Sequence, residues 1–477
     1  MALAVMLEKS GFGAVLLAAL LLAGCAGKAA MNQPLSPDAL QNAGNRVARG
    51  GYRITDMPKA GAPDVLVMLS FSGGGKRSAA FGYGVLRGLR DFTVTAGGRD
   101  RRMLDLVDMM TSVSGGSFPA AYYGLYRDKI FTDFEKDFLS QDIESYIWGT
   151  YLLPWHLGWM FDPTYGTNDR MAEVYDKLMF HGATYADLLR AGRPLISIDA
   201  TDVDHGLAFP FVQEQFDLLC SDITTYPIAR AVAASNGFPV IFTPITLKSY
   251  RAQCGSREPA WLRGYTGTDP LSRVHEQARA ARIYLDAENT RYVHLMDGGI
   301  SDNLAMRGII NAMLVITGAS GVEERFNFSA IRRIVLISAD GEAANDAATA
   351  RREVLSSLGQ IFSAVSGGQI DSYNFETMVL AKGALDGVRD TVRKQRCAKG
   401  PVAADGHACG DVESYFVHLS LAGVTDPAER ERLQQIPTGL TIDPADVALL
   451  VAAGEAQVKN SPMLIKFRDS LGPVPTN

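Results

Sequence analysis

Long hydrophobic runs are nearly absent from this chain. The apolar run Ala14 to Ala23 is far too short to cross a bilayer as a permanent helix, and no other stretch could span one. Charge of one sign does not accumulate either. The 46 basic and 52 acidic residues are interspersed and leave a net charge of −6, which argues against nucleic acid as the main partner. Cysteine is scarce, with five in 477 residues, and no CxxC or Cys/His spacing suggests zinc. The phosphate-loop pattern G-x-x-x-x-G-K-[ST] is not met, because Arg77 follows Lys76. There is no internal repeat and no low-complexity tract.

What is present is enough for one large α/β domain plus extensions, since 47% of residues are apolar and 21% charged. The N-terminus reads as a targeting segment. Lys9 is the only positive charge before the apolar run, and small residues end that run at Leu22-Ala23-Gly24-Cys25. This resembles the lipobox of bacterial lipoproteins. The resemblance implies a signal peptide over 1–24, cleavage before Cys25 and acylation of Cys25, which would anchor the protein in a membrane. Ala26 is not Asp, so the expected address is the outer membrane, facing the periplasm. The remaining cysteines are even in number, as disulfides in an oxidising compartment would require. Cys397 and Cys409 flank the polar loop "AKGPVAADGHA" and are expected to pair, which leaves Cys220 with Cys254.

Residues 25–60 read as a tether. From Asp64 the pattern changes. "VLVMLSFS" is a continuous apolar run suited to a buried parallel strand. It enters "GGGKRSAAFGYGVLRGL", where Ala79, Ala80, Tyr83, Val85, Leu86 and Leu89 have helical spacing. A second strand–turn–helix unit follows in "LDLVDMMTSVSGGSFPAAYYGLY". Further strands are expected at 194–201, 240–247, 291–296 and 332–339, with a helix over "YPIARAVAASN". Strands alternating with helices call for a mainly parallel sheet covered on both faces. Residues 348–394 read as helices, "YFVHLSLAGV" as one more strand, and the tail from Asp426 as helical with Pro437 and Pro444 as punctuation.

Three corners of this pattern carry chemistry. Ser114 stands in S-x-S-G-G, where small neighbours permit the tight strand-to-helix turn that exposes a serine nucleophile. Gly73-Gly74-Gly75-Lys76 would present backbone N–H groups at a helix N-terminus, a geometry that suits an anion. Asp297-Gly298-Gly299 follows a strand, which puts a carboxylate where α/β sites form. Each alone could be a turn.

In order, GGGKR, then SxSGG roughly 40 residues on, then DGG resemble the patatin-like phospholipase family. So does "ARAVAASNGFPVIFTPI" (229–245), and "IPTGLTIDPADVALLVAAG" is similar to the end of bacterial members with this long extension. The resemblance runs from about Val65 to about Gly308, with Ser72 where many relatives have Asp and Ser112 where most have Gly. It implies a three-layer α/β/α domain over 61–345 with a mainly parallel sheet, followed by a mainly helical C-terminal extension over 346–477. It further implies a Ser–Asp dyad: Ser114 as nucleophile, Asp297 as base, the amides of Gly73, Gly74, Gly75 and Lys76 as oxyanion hole, and Arg77 orienting that loop. The implied activity is hydrolysis of fatty-acyl esters of lipids, with no cofactor and no metal.

The alternatives are a Ser–Asp–His triad using His407 or His418, a catalytically silent lipid-binding lipoprotein, an acyltransferase using the same dyad, and an envelope peptidase or amidase. "DATDVDHG" (199–206) could be read as a metal site but fits a strand end with a solvated turn better. The aromatic segment "YIWGTYLLPWHLGWMFDPTYG" suits either a membrane interface or a side cluster.

Overall fold

The structure is a computed structural model. It describes residues 32–37, 39, 51–53, 62–146, 165–239, 241–255, 257–263, 265–318, 330–342 and 358–471. The signal peptide, Cys25, most of the tether and most of the aromatic segment lie outside the described residues.

Among the described residues, the core is an eight-stranded sheet. Its strands are β1 (Val65–Phe71), β2 (Val107–Val113), β3 (Leu195–Asp202), β4 (Leu207–Pro210), β5 (Ile245–Lys248), β6 (Tyr292–Met296), β7 (Arg333–Asp340) and β8 (Glu413–Ser420). Hydrogen-bonded neighbours run β8-β7-β1-β2-β3; β3 pairs further with β4 and with β6, and β6 with β5. The run from β8 to β3 is parallel throughout, whereas β6 pairs antiparallel with both β3 and β5. The burial of each strand follows its place. Central β2, β3 and β7 are buried along nearly their whole lengths, while edge strand β8 alternates buried with open positions.

The helices that frame the site are α1 (Gly75–Asp91), α2 (Ser117–Tyr126), α3 (Ile228–Ser235), α4 (Arg307–Gly318), α5 (Leu358–Cys397) and α6 (Pro444–Lys459). From β1 through β2 to β3 the chain moves one way along the sheet, and right-handed crossovers place α1 and α2 on one face. From β7 to β8 it moves back, so α5 between them covers the other face, and α4 packs on α5. The result is a three-layer α/β/α fold. α6 then packs along α1 at backbone distance. A Cβ at Gly84 would stand 2.2 Å from the Val451 carbonyl oxygen, and one at Gly454 would stand 2.4 Å from that of Phe81. Both expected disulfides are present, Cys397–Cys409 and Cys220–Cys254.

Two expectations shift. The strand expected at 240–247 begins only at Ile245. Pro244 has no N–H for a ladder, so pairing starts after it. A hairpin at Thr93–Ala96 and Arg99–Arg102 was not expected. Gly97 and Gly98 both take positive φ, which is the two-residue turn such hairpins favour.

Candidate active site

Sheet register brings Ser114 and Asp297 together. β2 ends at Val113, opposite Asp199 of β3. β6 runs the other way along β3 and ends at Met296, opposite Thr201. β4 occupies the far edge of β3 beside both Asp199 and Thr201. β2 and β6 must therefore share the remaining edge, end to end, with their C-termini converging across two residues of β3, roughly 7 Å of strand. Ser114 follows one end and Asp297 the other.

The serine corner is tight. Val113 is extended, Ser114 to Gly116 form one turn of 3₁₀ helix, and α2 starts at Ser117. Ser114 holds φ at +48°, a left-handed conformation that costs a side-chain-bearing residue about 1–2 kcal/mol. The two glycines after it are required by close approach. A Cβ at Gly115 would lie 1.8 Å from the Gly75 carbonyl oxygen, and one at Gly116 would lie 2.6 Å from that of Ser72. The corner is fixed from α3: the Ser114 amide donates to Ser235 Oγ at 2.9 Å, and Asn236 Nδ2 donates to the Ser114 carbonyl at 2.9 Å.

Ser114 Oγ donates to Asp297 Oδ2 at 3.1 Å. Asn236 Oδ1 is a second, longer acceptor at 3.5 Å. Asp297 Oδ1 accepts the Gly299 amide at 2.8 Å, which fixes the carboxylate plane. The Asp297 amide donates to Gly237 O at 3.0 Å, and its carbonyl accepts Thr201 Oγ1 at 2.8 Å. Gly298 must be glycine because a Cβ there would lie 2.2 Å from the Asp199 carbonyl oxygen. Ser114 is 8% and Asp297 9% exposed. Burial pushes the Asp297 carboxyl up to about 6, against the opposing pull of the Gly299 amide and the Ser114 hydroxyl. A carboxylate raised this way is a stronger base than a solvated one, and it still titrates below neutrality.

The glycine loop lies directly against this corner: a Cβ at Gly73 would stand 3.4 Å from that of Ser114. Gly74 and Gly75 have φ of +131° and +61°, values that favour glycine. Two of the four expected oxyanion donors are already engaged. The Gly73 amide donates to Asn303 O at 2.9 Å and that of Lys76 to Gly439 O at 2.8 Å. Among the described residues no acceptor takes the amides of Gly74 and Gly75. The Lys76 side chain is buried, with Nζ bonded to the Gln141 carbonyl and 5.3 Å from the Phe138 ring centre. Burial pushes this amine down to about 8, with Asp142 and Glu144 pulling the other way. Arg77 donates to Gly341 O at 2.9 Å and Ile436 O at 2.8 Å. Ser72 and Ser112 fit their places: Ser72 Oγ accepts the Gly341 amide at 3.0 Å, and Ser112 Oγ donates to Ser197 O at 3.2 Å.

The other candidates are engaged elsewhere. His418 Nε2 lies 3.7 Å from Asp340 Oδ2, and His407 lies within the loop closed by Cys397 and Cys409. In the stretch 199–206, Asp202 bonds His205 and Tyr284 while Asp204 bonds His294. No group of three or more His, Cys, Asp or Glu that could hold a metal occurs among the described residues. Sequence reasoning did not single out Asn236, Ser235 or Asn303. Asn303 is the wedge between the corners, its Oδ1 lying 2.2 Å from where a Cβ on Gly73 would be and 2.9 Å from one on Gly299. The first two were in view within "AASNGFP", but only as part of a resemblance.

A family model described as patatin-like phospholipase matches residues 69–310. Among solved structures, human GIVD cytosolic phospholipase A2 is similar at 12% identity and a TM-score of 0.40, covering 94% of this chain and 68% of that one. The same protein in complex with methyl gamma-linolenyl fluorophosphonate is similar at 12% identity and a TM-score of 0.37, covering 92% of this chain and 64% of that one. No curated protein sequence matches the chain significantly.

Proposed function

Since the chain belongs to the patatin-like phospholipase family and is a lipid acyl hydrolase, we propose that it cleaves fatty-acyl esters through Ser114 and Asp297 alone. Asp297 Oδ2 takes the proton from Ser114 Oγ as that oxygen attacks the ester carbonyl. The amides of Gly74 and Gly75 receive the negative charge that develops on the carbonyl oxygen. As the intermediate collapses, the carbon–oxygen bond to the leaving alcohol breaks, and Asp297 returns the proton to that alcohol. Ser114 is left acylated. Water then attacks the acyl carbon, giving its proton to Asp297, and the fatty acid leaves as Ser114 recovers its hydrogen.

The observation that carries this reading is the 3.1 Å contact between Ser114 Oγ and Asp297 Oδ2, made by residues 183 apart in sequence. A histidine is not needed to bridge that distance. "LAGC" at 22–25 supports anchoring through an acylated Cys25, in the outer membrane facing the periplasm. Two disulfides support an oxidising compartment.

The test is fluorophosphonate labelling of the purified protein beside Ser114→Ala and Asp297→Ala. Label on the wild type alone, mapped to the Ser114 peptide, is the expected result. Label retained by Asp297→Ala but lost on replacing His407 or His418 would overturn the dyad.

A further inference from the structure

Among the described residues, the glycine loop has two amides without an acceptor, Gly74 and Gly75, between two that are tied down, and the downstream tie comes from far along the chain. The segment 436–441, "IPTGLT", lies beyond the residues that match the family model. Gly439 O accepts the Lys76 amide at 2.8 Å, one residue after the last free donor. The same oxygen lies only 2.6 Å from where a Cβ on Gly75 would stand, so it presses on the loop itself. Ile436 O accepts Arg77 Nη1 at 2.8 Å.

A second set of bonds fixes this segment to the chain after α2. The Leu440 amide donates to Glu144 Oε1 at 3.2 Å. The Glu144 amide donates to Thr441 Oγ1 at 3.2 Å, and that hydroxyl donates to Asp142 Oδ1 at 2.8 Å. Lys76 closes the circuit, since its Nζ bonds the carbonyl of Gln141, next to Asp142. The loop, the 436–441 segment and residues 141–144 thus form one closed ring of bonds around the start of α1.

We propose that the 436–441 segment is the positioning element of the oxyanion hole: clamped by Glu144 and Asp142, it holds Gly439 against the loop and thereby sets the direction of the Gly74 and Gly75 amides. The inference rests on the proposed role of those amides. Glu144, exposed, and Thr441, half-buried, are positioning residues outside contact with any reacting atom.

The experiment compares the wild type with Thr441→Val plus Glu144→Ala, and with Glu144→Gln, on a short-chain fatty-acyl ester. Each is assayed for kcat, KM, fluorophosphonate labelling rate and thermal midpoint. The double variant removes both clamping acceptors from the surface. Its kcat and labelling rate should fall together by roughly tenfold to a hundredfold, as expected when a donor set is displaced by about an ångström. KM should stay within about twofold of wild type, and the thermal midpoint should barely move, because the bonds removed are at the exposed side of the segment. Glu144→Gln keeps an acceptor for Leu440 and should behave as wild type. A double variant with unchanged kcat would overturn the proposal. So would a rise in KM alone, or a loss of kcat matched by loss of folded protein. A Ser114→Ala enzyme that still hydrolyses ester would instead overturn the underlying reading of the site.

Discussion

Asp297→Asn should abolish hydrolysis and yet stabilise the fold above neutrality. Burial raises the Asp297 carboxyl from its ordinary value of 3.8 to about 6. In the unfolded chain it returns to ~3.9. The folded protein therefore holds the proton more tightly than the unfolded chain does, and stability falls as pH rises from about 4 to about 6. Above that range the folded state carries an ionised carboxylate at a cost of up to about 3 kcal/mol, at 1.36 kcal/mol per tenfold change in affinity. The 9% exposure that remains makes this an upper figure. Asparagine has the same shape and no charge. Its Oδ1 can still accept the Gly299 amide, which now meets Asp297 Oδ1 at 2.8 Å, and its amide can donate to Ser114 Oγ. Urea unfolding of both proteins should show the variant about 1–3 kcal/mol more stable at pH 8, with the gap closing below pH 4. A variant less stable than wild type at pH 8 would mean that the bonds to Gly299 and Ser114 outweigh burial. The carboxylate would then be a stabilised anion, and the argument for its basicity would fail.

The same raised carboxyl sets the pH profile. The kcat/KM should rise with pH through about 6 and then level off, and an optimum below pH 5 would contradict an ionised Asp297 as base. Gly75→Ala forces a Cβ against Gly439 O, 2.6 Å away, at a φ of +61°. It should lower kcat at least roughly tenfold in steady-state assays, while Gly383→Ala, which meets nothing within 4 Å, should leave kcat unchanged. Replacing Cys397 and Cys409 by serine opens a link across 12 positions and should cost about 3 kcal/mol in urea unfolding, with esterase activity retained at 25 °C.

Local burial was legible in the sequence, and long-range backbone contact was not. β1, β2, β3 and β7 are runs whose apolar content already states that both faces are covered. The three glycine corners were legible because each leaves a trace in one short stretch. The direction of β6 left none: "RYVHLM" reads the same whether parallel or antiparallel, yet only the antiparallel pairing points Asp297 at Ser114. Asn236 and Asn303 were missed because they act on backbone atoms more than 100 positions away, where no periodicity reports them. The Gly97-Gly98 hairpin was missed because its second strand, Arg99–Arg102, is charged rather than alternating.

The backbone-to-backbone packing of α6 on α1 has a consequence for synthesis. α1 carries the loop at its first turn, and its glycine face stays open until Val451 and Gly454 arrive. At a translation rate of about 5–20 residues per second, more than 350 residues separate the two events and leave tens of seconds or longer between them. Through that interval the nascent chain has its serine corner and α1 but not the backbone partner of the α1 glycine face. The order of residues thereby separates in time the forming of the serine corner from the arrival of the 436–454 region that packs on the glycine loop and on α1.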